Sequence, residues 1–216
     1  MKTSRKDLSP AYAWHLARLT RAFPNFDVAF VAPLRRKAVQ LLGLKEGARV
    51  LDVGCGIGGS FPFLVDAVGA AGEVVGVEIS PEAAINARQR IASNRWPNVR
   101  VIESAAQSAR LTEQFDGLLM LAAPDVYGSQ EALENIFSHL RDHARVVLFG
   151  AKISGTRVGK LLNPLFRLAL ARLSFPTTPV PDSQPWRLVA QRVERLEIED
   201  YFFGTMFLAA GSYVGK

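Results

Sequence analysis

A single cysteine, Cys55, in 216 residues leaves no partner for an internal disulfide and no thiolate cluster for zinc. A reducing, cytoplasmic compartment is therefore expected. Long apolar runs are also missing: no segment approaches the roughly 18 uninterrupted apolar residues of a spanning helix. The opening MKTSRKDLSPAYAWHLARLT carries basic residues but no continuous apolar stretch of signal-peptide length. Histidine is scarce, with only His15, His139 and His143, and no Ser/His/Asp triad can be assembled around them. His139 and His143 stand four apart at an expected helix end, a spacing open to a metal pair or to a solvated, C-capping role; no metal is assigned. What is plentiful is ordinary: 49% hydrophobic and 21% charged residues exclude a disordered or collagen-like chain.

The net charge of +6 is unevenly spread. Residues 1–49 carry +7, residues 50–151 carry −5, residues 152–187 carry +5 and the remainder −1. Two basic segments bracket an acidic body, a pattern that suits an anionic ligand or surface at the periphery better than a uniform nucleic-acid footprint.

Apolar spacing predicts helices ahead of residue 44, interrupted at Pro24 and Pro33, the last over Leu34–Leu42 and closed by Gly43. Strand-like runs then alternate with helical ones. Strands are expected at Arg49–Val53, Glu73–Glu78, Val99–Glu103, Phe115–Leu121 and Arg145–Gly150, with helices at Gly59–Val68, Pro81–Ser93 and Gln130–Leu140. The alternation predicts an α/β fold with a parallel sheet covered on both faces. Arg192–Tyr201 and Thr205–Ala210 read as a closing antiparallel pair, which makes seven strands in a mostly parallel, doubly wound, Rossmann-like sheet. One domain is expected, divided into an N-terminal helical cap (1–44), a cofactor-binding core (45–150), a basic, proline-rich lid insertion (151–187) and the closing strand pair (188–216).

The turn after the first strand carries the chemistry. In Val50-Leu51-Asp52-Val53-Gly54-Cys55-Gly56-Ile57-Gly58-Gly59 a strand-borne carboxylate precedes alternating glycines, whose missing side chains let a ligand approach the backbone. Gly54, Gly56 and Gly59 also satisfy the dinucleotide pattern G-x-G-x-x-G, and Glu78 lies 24 residues after Gly54. Asp52 favours a different ligand: a carboxylate repels a pyrophosphate and attracts an ammonium or sulfonium.

Leu51 through Gly58 resembles the first motif of the class I S-adenosylmethionine-dependent methyltransferases: apolar, apolar, Asp/Glu, apolar, Gly-x-Gly-x-Gly. The resemblance continues through Val74–Pro81, Phe115-Asp116-Gly117-Leu118 and Leu140–Phe149. In outline it is nearest to bacterial small-molecule methyltransferases of the quinone and phospholipid type. It implies S-adenosylmethionine as methyl donor, S-adenosylhomocysteine as product and no metal. The implied cofactor shell is Asp52, Gly54, Cys55, Gly56, Gly58, Glu78, Ile79, Ser104, Ala105, Ala106 and Leu121, with Glu78 gripping the ribose hydroxyls. One departure stands out: many members carry Asp where Ala105 stands, so the adenine acceptor is missing, and Ser104, Gln107 or a backbone carbonyl would have to replace it.

Parallel sheets bind ligands beyond the carboxyl ends of their strands. The loop Ala122-Ala123-Pro124-Asp125-Val126-Tyr127 is therefore the expected source of catalytic groups, Asp125 and Tyr127, with Tyr12, His15 and Tyr127 as substrate contacts. Asp125 and Tyr127 also have blander readings, as a turn initiator and a packing residue. The loop lacks the Asn/Asp-Pro-Pro-aromatic pattern of enzymes that methylate nucleic-acid amines, which argues against nucleic acid. Segment 157–175 is apolar with arginines and a lysine as its only charges. It fits either a lid on the body or a peripheral contact with an anionic membrane face. The expected acceptor is a small, hydrophobic or lipidic molecule. A non-catalytic binding or regulatory subunit of the same fold, and an NAD-linked oxidoreductase, are the competing readings.

Overall fold

The computed structural model describes residues 32–161, 163–164 and 182–215. Seven strands form one sheet: β1 (Arg49–Val53), β2 (Glu73–Glu78), β3 (Val99–Glu103), β4 (Phe115–Leu121), β5 (Leu140–Ala151), β6 (Val193–Tyr201) and β7 (Met206–Tyr213). Their order is β3-β2-β1-β4-β5-β7-β6. The first five strands run parallel, and β7 pairs antiparallel with both β5 and β6. The crossover direction reverses between β1 and β4, which opens the crevice at the carboxyl edge where such sheets hold ligands.

The helices are α1 (Ala32–Leu42), α2 (Phe61–Val68), α3 (Pro81–Asn94), α4 (Pro124–Tyr127), α5 (Gln130–Phe137) and α6 (Arg187–Ala190). Successive residues of a strand face opposite ways, so β1 serves two cores. Val50 packs with Ala38, Leu42, Phe61 and Leu64 of α1 and α2 on one face. Leu51 and Val53 pack with Val126, Leu133, Ile136 and Val189 of α4, α5 and α6 on the other. Each such side chain, removed from water, contributes about 1.5–3 kcal/mol before the entropy of ordering it. This two-sided burial explains why the parallel strands are apolar runs rather than alternating ones.

Helix α1 is tied to the sheet by polar contacts as well. Lys37 pairs with Glu199 on β6, and Arg145 Nε donates to the Leu41 carbonyl at 3.3 Å. Ser80 and Ser129 cap α3 and α5, each accepting from the amide three residues on.

Several boundaries differ from the sequence reading, three of them by three residues or more. Helix α5 ends at Phe137, and Leu140 opens β5, five residues before the expected start at Arg145. His139 and His143 therefore do not share a helix face: His143, at φ +62°, sits inside the long strand. Among the described residues no group of His, Cys, Asp and Glu could hold a metal ion. Strand β7 runs on to Tyr213, three residues past the expected Ala210. Among the described residues no helix is long and apolar enough to cross a membrane. Tyr12 and His15, with the cap before Ala32, and the lid helix beyond residue 164 lie outside the described residues.

Candidate cofactor site

Strand β1 carries Asp52 into the middle of the sheet, in register with Gly76 of β2 and Leu119 of β4. The residue is 2% exposed, and its Oδ2 has no hydrogen-bond partner. Burial pushes its carboxyl up to about 7; the Glu78 charge adds to this and the Arg35 guanidinium on α1 opposes it. A buried carboxylate oxygen without a donor is costly, and the arrangement is relieved by an incoming cation or hydrogen-bond donor.

The turn beyond Val53 is shaped by close approaches. Gly54 has φ +73°, and a Cβ there would lie 2.8 Å from the Ala123 Cβ, so only glycine lets β1 leave beneath the β4 loop. Gly56 has φ +56°, and a Cβ there would meet nothing within 4 Å. Its missing side chain therefore leaves open space where a ligand can lie. Gly58 is held against the Phe61 ring. The Cys55 side chain turns inward onto Gly76, where a Cβ would lie 2.7 Å from its Sγ, and burial pushes the thiol well up.

Four backbone amides of this turn have partners within the protein. The Gly54 and Cys55 amides donate to the Val77 carbonyl at 2.8 and 3.2 Å, the Gly56 amide to Glu78 Oε2 at 2.9 Å, and the Gly58 amide to the Cys55 carbonyl at 3.0 Å. All four donors are committed within the protein. Beside them the Asp52 and Glu78 carboxylates offer acceptors, whereas a pyrophosphate needs donors.

Glu78 ends β2 and is 8% exposed. Its Oε1 accepts from the Ser80 amide at 2.7 Å, bridging β2 to the first turn of α3, while Oε2 ties it to Gly56. Burial raises its carboxyl above the usual range, and these backbone donors hold it back. Next to it Ile79 is 42% exposed, an apolar face at the mouth of the crevice.

The end of β3 is pinned alongside by the Ser104 amide, which donates to the Glu78 carbonyl at 2.9 Å. Ser104 Oγ donates to the Ala105 carbonyl at 3.0 Å, and Ser108 Oγ reaches the same carbonyl at 3.3 Å. Ala106 is buried, its carbonyl accepting from Asn135 Nδ2 at 2.8 Å. The hydroxyl of Ser104 is thus turned to its own loop, and Gln107 is exposed.

Past Leu121, which is half-buried at the end of β4, Ala122 adopts φ +56° with its amide donating to the Phe149 carbonyl at 2.8 Å. This bend turns the chain over the crevice. Asp125, in the first turn of α4, is solvent-exposed, yet the surrounding protein raises its carboxyl, and its charge raises that of Glu78. Tyr127 lies elsewhere. It is 2% exposed, with its ring edge-on to Phe207 at 6.1 Å. Its hydroxyl sits over Gly150, where a Cβ would lie 2.1 Å away. The crevice reading of Tyr127 is corrected to a core residue: helical geometry sends it to the opposite side from Asp125.

Two participants were not singled out from sequence. Arg35, whose charge acts on Asp52, had no signal beyond membership of a basic block. Gly76 had one, a lone glycine inside a strand, which marks close approach.

Residues 50–145 match a family model described as a methyltransferase domain. This segment is similar to that family. It contains Asp52, the glycine turn, Glu78, the β3 loop and Asp125. Aklanonic acid methyltransferase DauC of Streptomyces sp. (strain C5) is 26% identical over 122 residues, 54% of this chain and 56% of that protein. The 23S rRNA (uracil(1939)-C(5))-methyltransferase RlmD of Acinetobacter baumannii (strain AB0057) is 41% identical over 78 residues, 36% of this chain and 16% of that protein. The chain thus spans about half, or much less, of the curated relatives it matches. Among solved structures, geranyl diphosphate C-methyltransferase from Streptomyces coelicolor A3(2) superposes with a TM-score of 0.70 at 15% identity, covering 98% of this chain and 86% of that one. The likeness to that structure is one of fold, the seven-stranded, mostly parallel, Rossmann-like sheet with a C-terminal antiparallel strand pair expected from the sequence.

Proposed function

We propose that the protein transfers a methyl group from S-adenosylmethionine to a small, hydrophobic or lipidic acceptor. One observation carries the choice of cofactor: a buried Asp52 with an unpartnered oxygen heads a turn in which the Gly54, Cys55, Gly56 and Gly58 amides are already bonded. Such a turn attracts an ammonium and sulfonium ligand and repels a dinucleotide pyrophosphate. Bound there, the cofactor supplies a methyl group activated by its positive sulfur.

The chain's own residues divide the remaining work. Asp52 faces the amino group, and Glu78, held by Gly56 and Ser80, keeps lone pairs for the ribose hydroxyls. Ile79 and Leu121 supply apolar surface for the base. With Ala105 in place of an acid, adenine is held without a side-chain acceptor, a loss of about 0.5–1.5 kcal/mol. Asp125, exposed at the mouth with a raised carboxyl, accepts the acceptor's proton where there is one. Alignment and exclusion of water do the rest.

The Ala122-Ala123-Pro124-Asp125 loop, lacking a paired-proline aromatic clamp, favours a small acceptor over nucleic acid. DauC, a relative named for a small molecule, supports the same reading. The single buried cysteine fits a reducing cytoplasm.

The test is calorimetric and radiochemical. S-adenosylhomocysteine is expected to bind at roughly micromolar strength, and labelled methyl groups should enter the lipid-extractable pool of a cell extract. Tight NADH binding overturns the cofactor assignment. Label confined to RNA or protein overturns the acceptor class, and binding without transfer identifies a regulatory subunit.

A further inference from the structure

The β6–β7 hairpin and the segment after β5 meet at the carboxyl edge of the sheet, the edge that holds the cofactor crevice. The hairpin is the 3₁₀ turn Phe202–Gly204, in which both phenylalanines adopt left-handed backbone, φ +48° and +57°. Bulky aromatics rarely take this conformation, and here Phe203 is 67% exposed.

The turn is held firmly from below. Ser154 Oγ and Thr156 Oγ1 both donate to the Phe203 carbonyl, at 2.8 and 2.9 Å. The Lys152 amide donates to the Thr205 carbonyl at 2.8 Å, and Lys152 Nζ donates to Asp200 at 2.9 Å. Gly159 lies so close that a Cβ there would be 2.4 Å from the Phe203 carbonyl, which seats the helical turn 157–161 on the hairpin. On its outer side that turn shows Val158, 54% exposed, and Leu161, 82% exposed. Arg157 and Lys160 flank them, both exposed and neither in an ion pair with a described residue. Apolar side chains held outward by a braced backbone, among cations with no counter-charge among the described residues, form a surface matched to an anionic, apolar-cored partner.

We propose that Phe203, Val158 and Leu161, with Arg157 and Lys160, form a docking face that seats the protein on an anionic lipid surface. The apolar side chains enter the acyl boundary while the two cations meet phosphate headgroups. This rests on the proposed function only in setting the docking face beside the crevice that takes a lipophilic acceptor. Nucleic acid would satisfy Arg157 and Lys160 but give the exposed Leu161 and Phe203 no apolar partner, so a lipid surface is favoured.

Vesicle co-sedimentation of the whole chain tests it, using phosphatidylcholine vesicles with and without roughly a third phosphatidylglycerol. Binding is expected to the anionic vesicles and to fall with salt. The pair Arg157→Gln and Lys160→Gln should weaken it about fivefold per cation, and Phe203→Ser with Leu161→Ser by about tenfold or more. The serine variant should keep its melting temperature and its affinity for S-adenosylhomocysteine, which separates loss of docking from misfolding or loss of the cofactor site. Three results overturn the inference: no binding to either vesicle, binding that both pairs of substitutions leave unchanged, or a sedimenting dimer of the free protein that the serine substitutions dissolve. Failure to bind vesicles alongside intact cofactor binding refutes the docking face and leaves the methyl-transfer reading standing.

Discussion

Replacing Asp52 by Asn separates what the site costs the fold from what it gains in binding. Burial moves the Asp52 carboxyl from 3.8 to about 7. Because the folded value is raised, the stability linked to this group is fully present below the unfolded value of 3.8 and is lost as pH rises through 7. Three pH units at 1.36 kcal/mol each set an upper bound of about 4 kcal/mol on the penalty for keeping Asp52 ionised at pH 8. Asn has the same shape and never ionises, so it escapes that penalty. Its new amide donor offsets part of the gain, by about 1–2 kcal/mol. A net gain of about 2 kcal/mol raises the melting temperature of a chain this size by about 4–8 °C. Scanning calorimetry at pH 5 and pH 8 is the assay, with the advantage of Asn over Asp expected to be larger at pH 8. S-adenosylhomocysteine affinity should fall at least about tenfold in the same variant, one lost charge-assisted bond being enough. A variant equally stable at both pH values, or one that binds the ligand as tightly as before, refutes the reasoning.

In the unaltered protein, ligand affinity measured by calorimetry should weaken as pH drops below about 7, since a proton then competes with the ligand's ammonium for Asp52. Glu78→Gln turns an amide toward the Gly56 or Ser80 donor; a loss of about 1–2 kcal/mol in denaturant titration and markedly weaker ligand binding are expected. Gly54→Ala meets Ala123 at 2.8 Å and should destabilise the fold severely, whereas Gly56→Ala meets nothing and should fold at a modest cost while blocking the ligand. Equal effects of the two alanines on melting temperature would contradict the assignment of Gly56 to the ligand side. Asp125→Asn should lower methyl-transfer turnover with little change in S-adenosylhomocysteine affinity.

Strands β1 to β4 could be read from sequence to the residue because burial on both faces leaves a largely apolar run. Val50 and Leu51 pack into opposite cores. Where a strand extends past the double layer the signal fades. Arg141, Asp142 and His143 open β5 with exposed polar side chains, and Leu140 suits a helix spacing as well as its actual pairing with Phe115. Gly211 and Ser212 look like a stop but continue β7, packed under the irregular register of β6 between Glu194 and Glu197. At the candidate site, the sequence placed Asp52 on β1, Gly56 in the turn after it and Glu78 at the end of β2, and the structure joins Gly56 to Glu78 by a hydrogen bond. Tyr127 was not legible, since a residue two positions from an exposed carboxylate can lie on either side of a short helix.

The glycine count alone could never separate the two cofactor classes, because Gly54, Gly56 and Gly59 satisfy both patterns. What separates them is where the amide hydrogens go. In a phosphate-binding turn the amides must remain free, so that ligand oxygens complete them. Here Glu78 takes the Gly56 amide and the Val77 carbonyl takes those of Gly54 and Cys55. Freeing them would break the contacts that hold β2 against the turn. The Glu78 carboxylate therefore occupies the Gly56 amide and, with Asp52, makes the crevice electronegative, while the Arg35 charge acts against that of Asp52. Glu78→Ala should release the Gly56 amide and reduce the repulsion together. If that variant gained measurable affinity for a dinucleotide while losing S-adenosylhomocysteine, the selectivity would trace to this one side chain; unchanged preference would place it elsewhere.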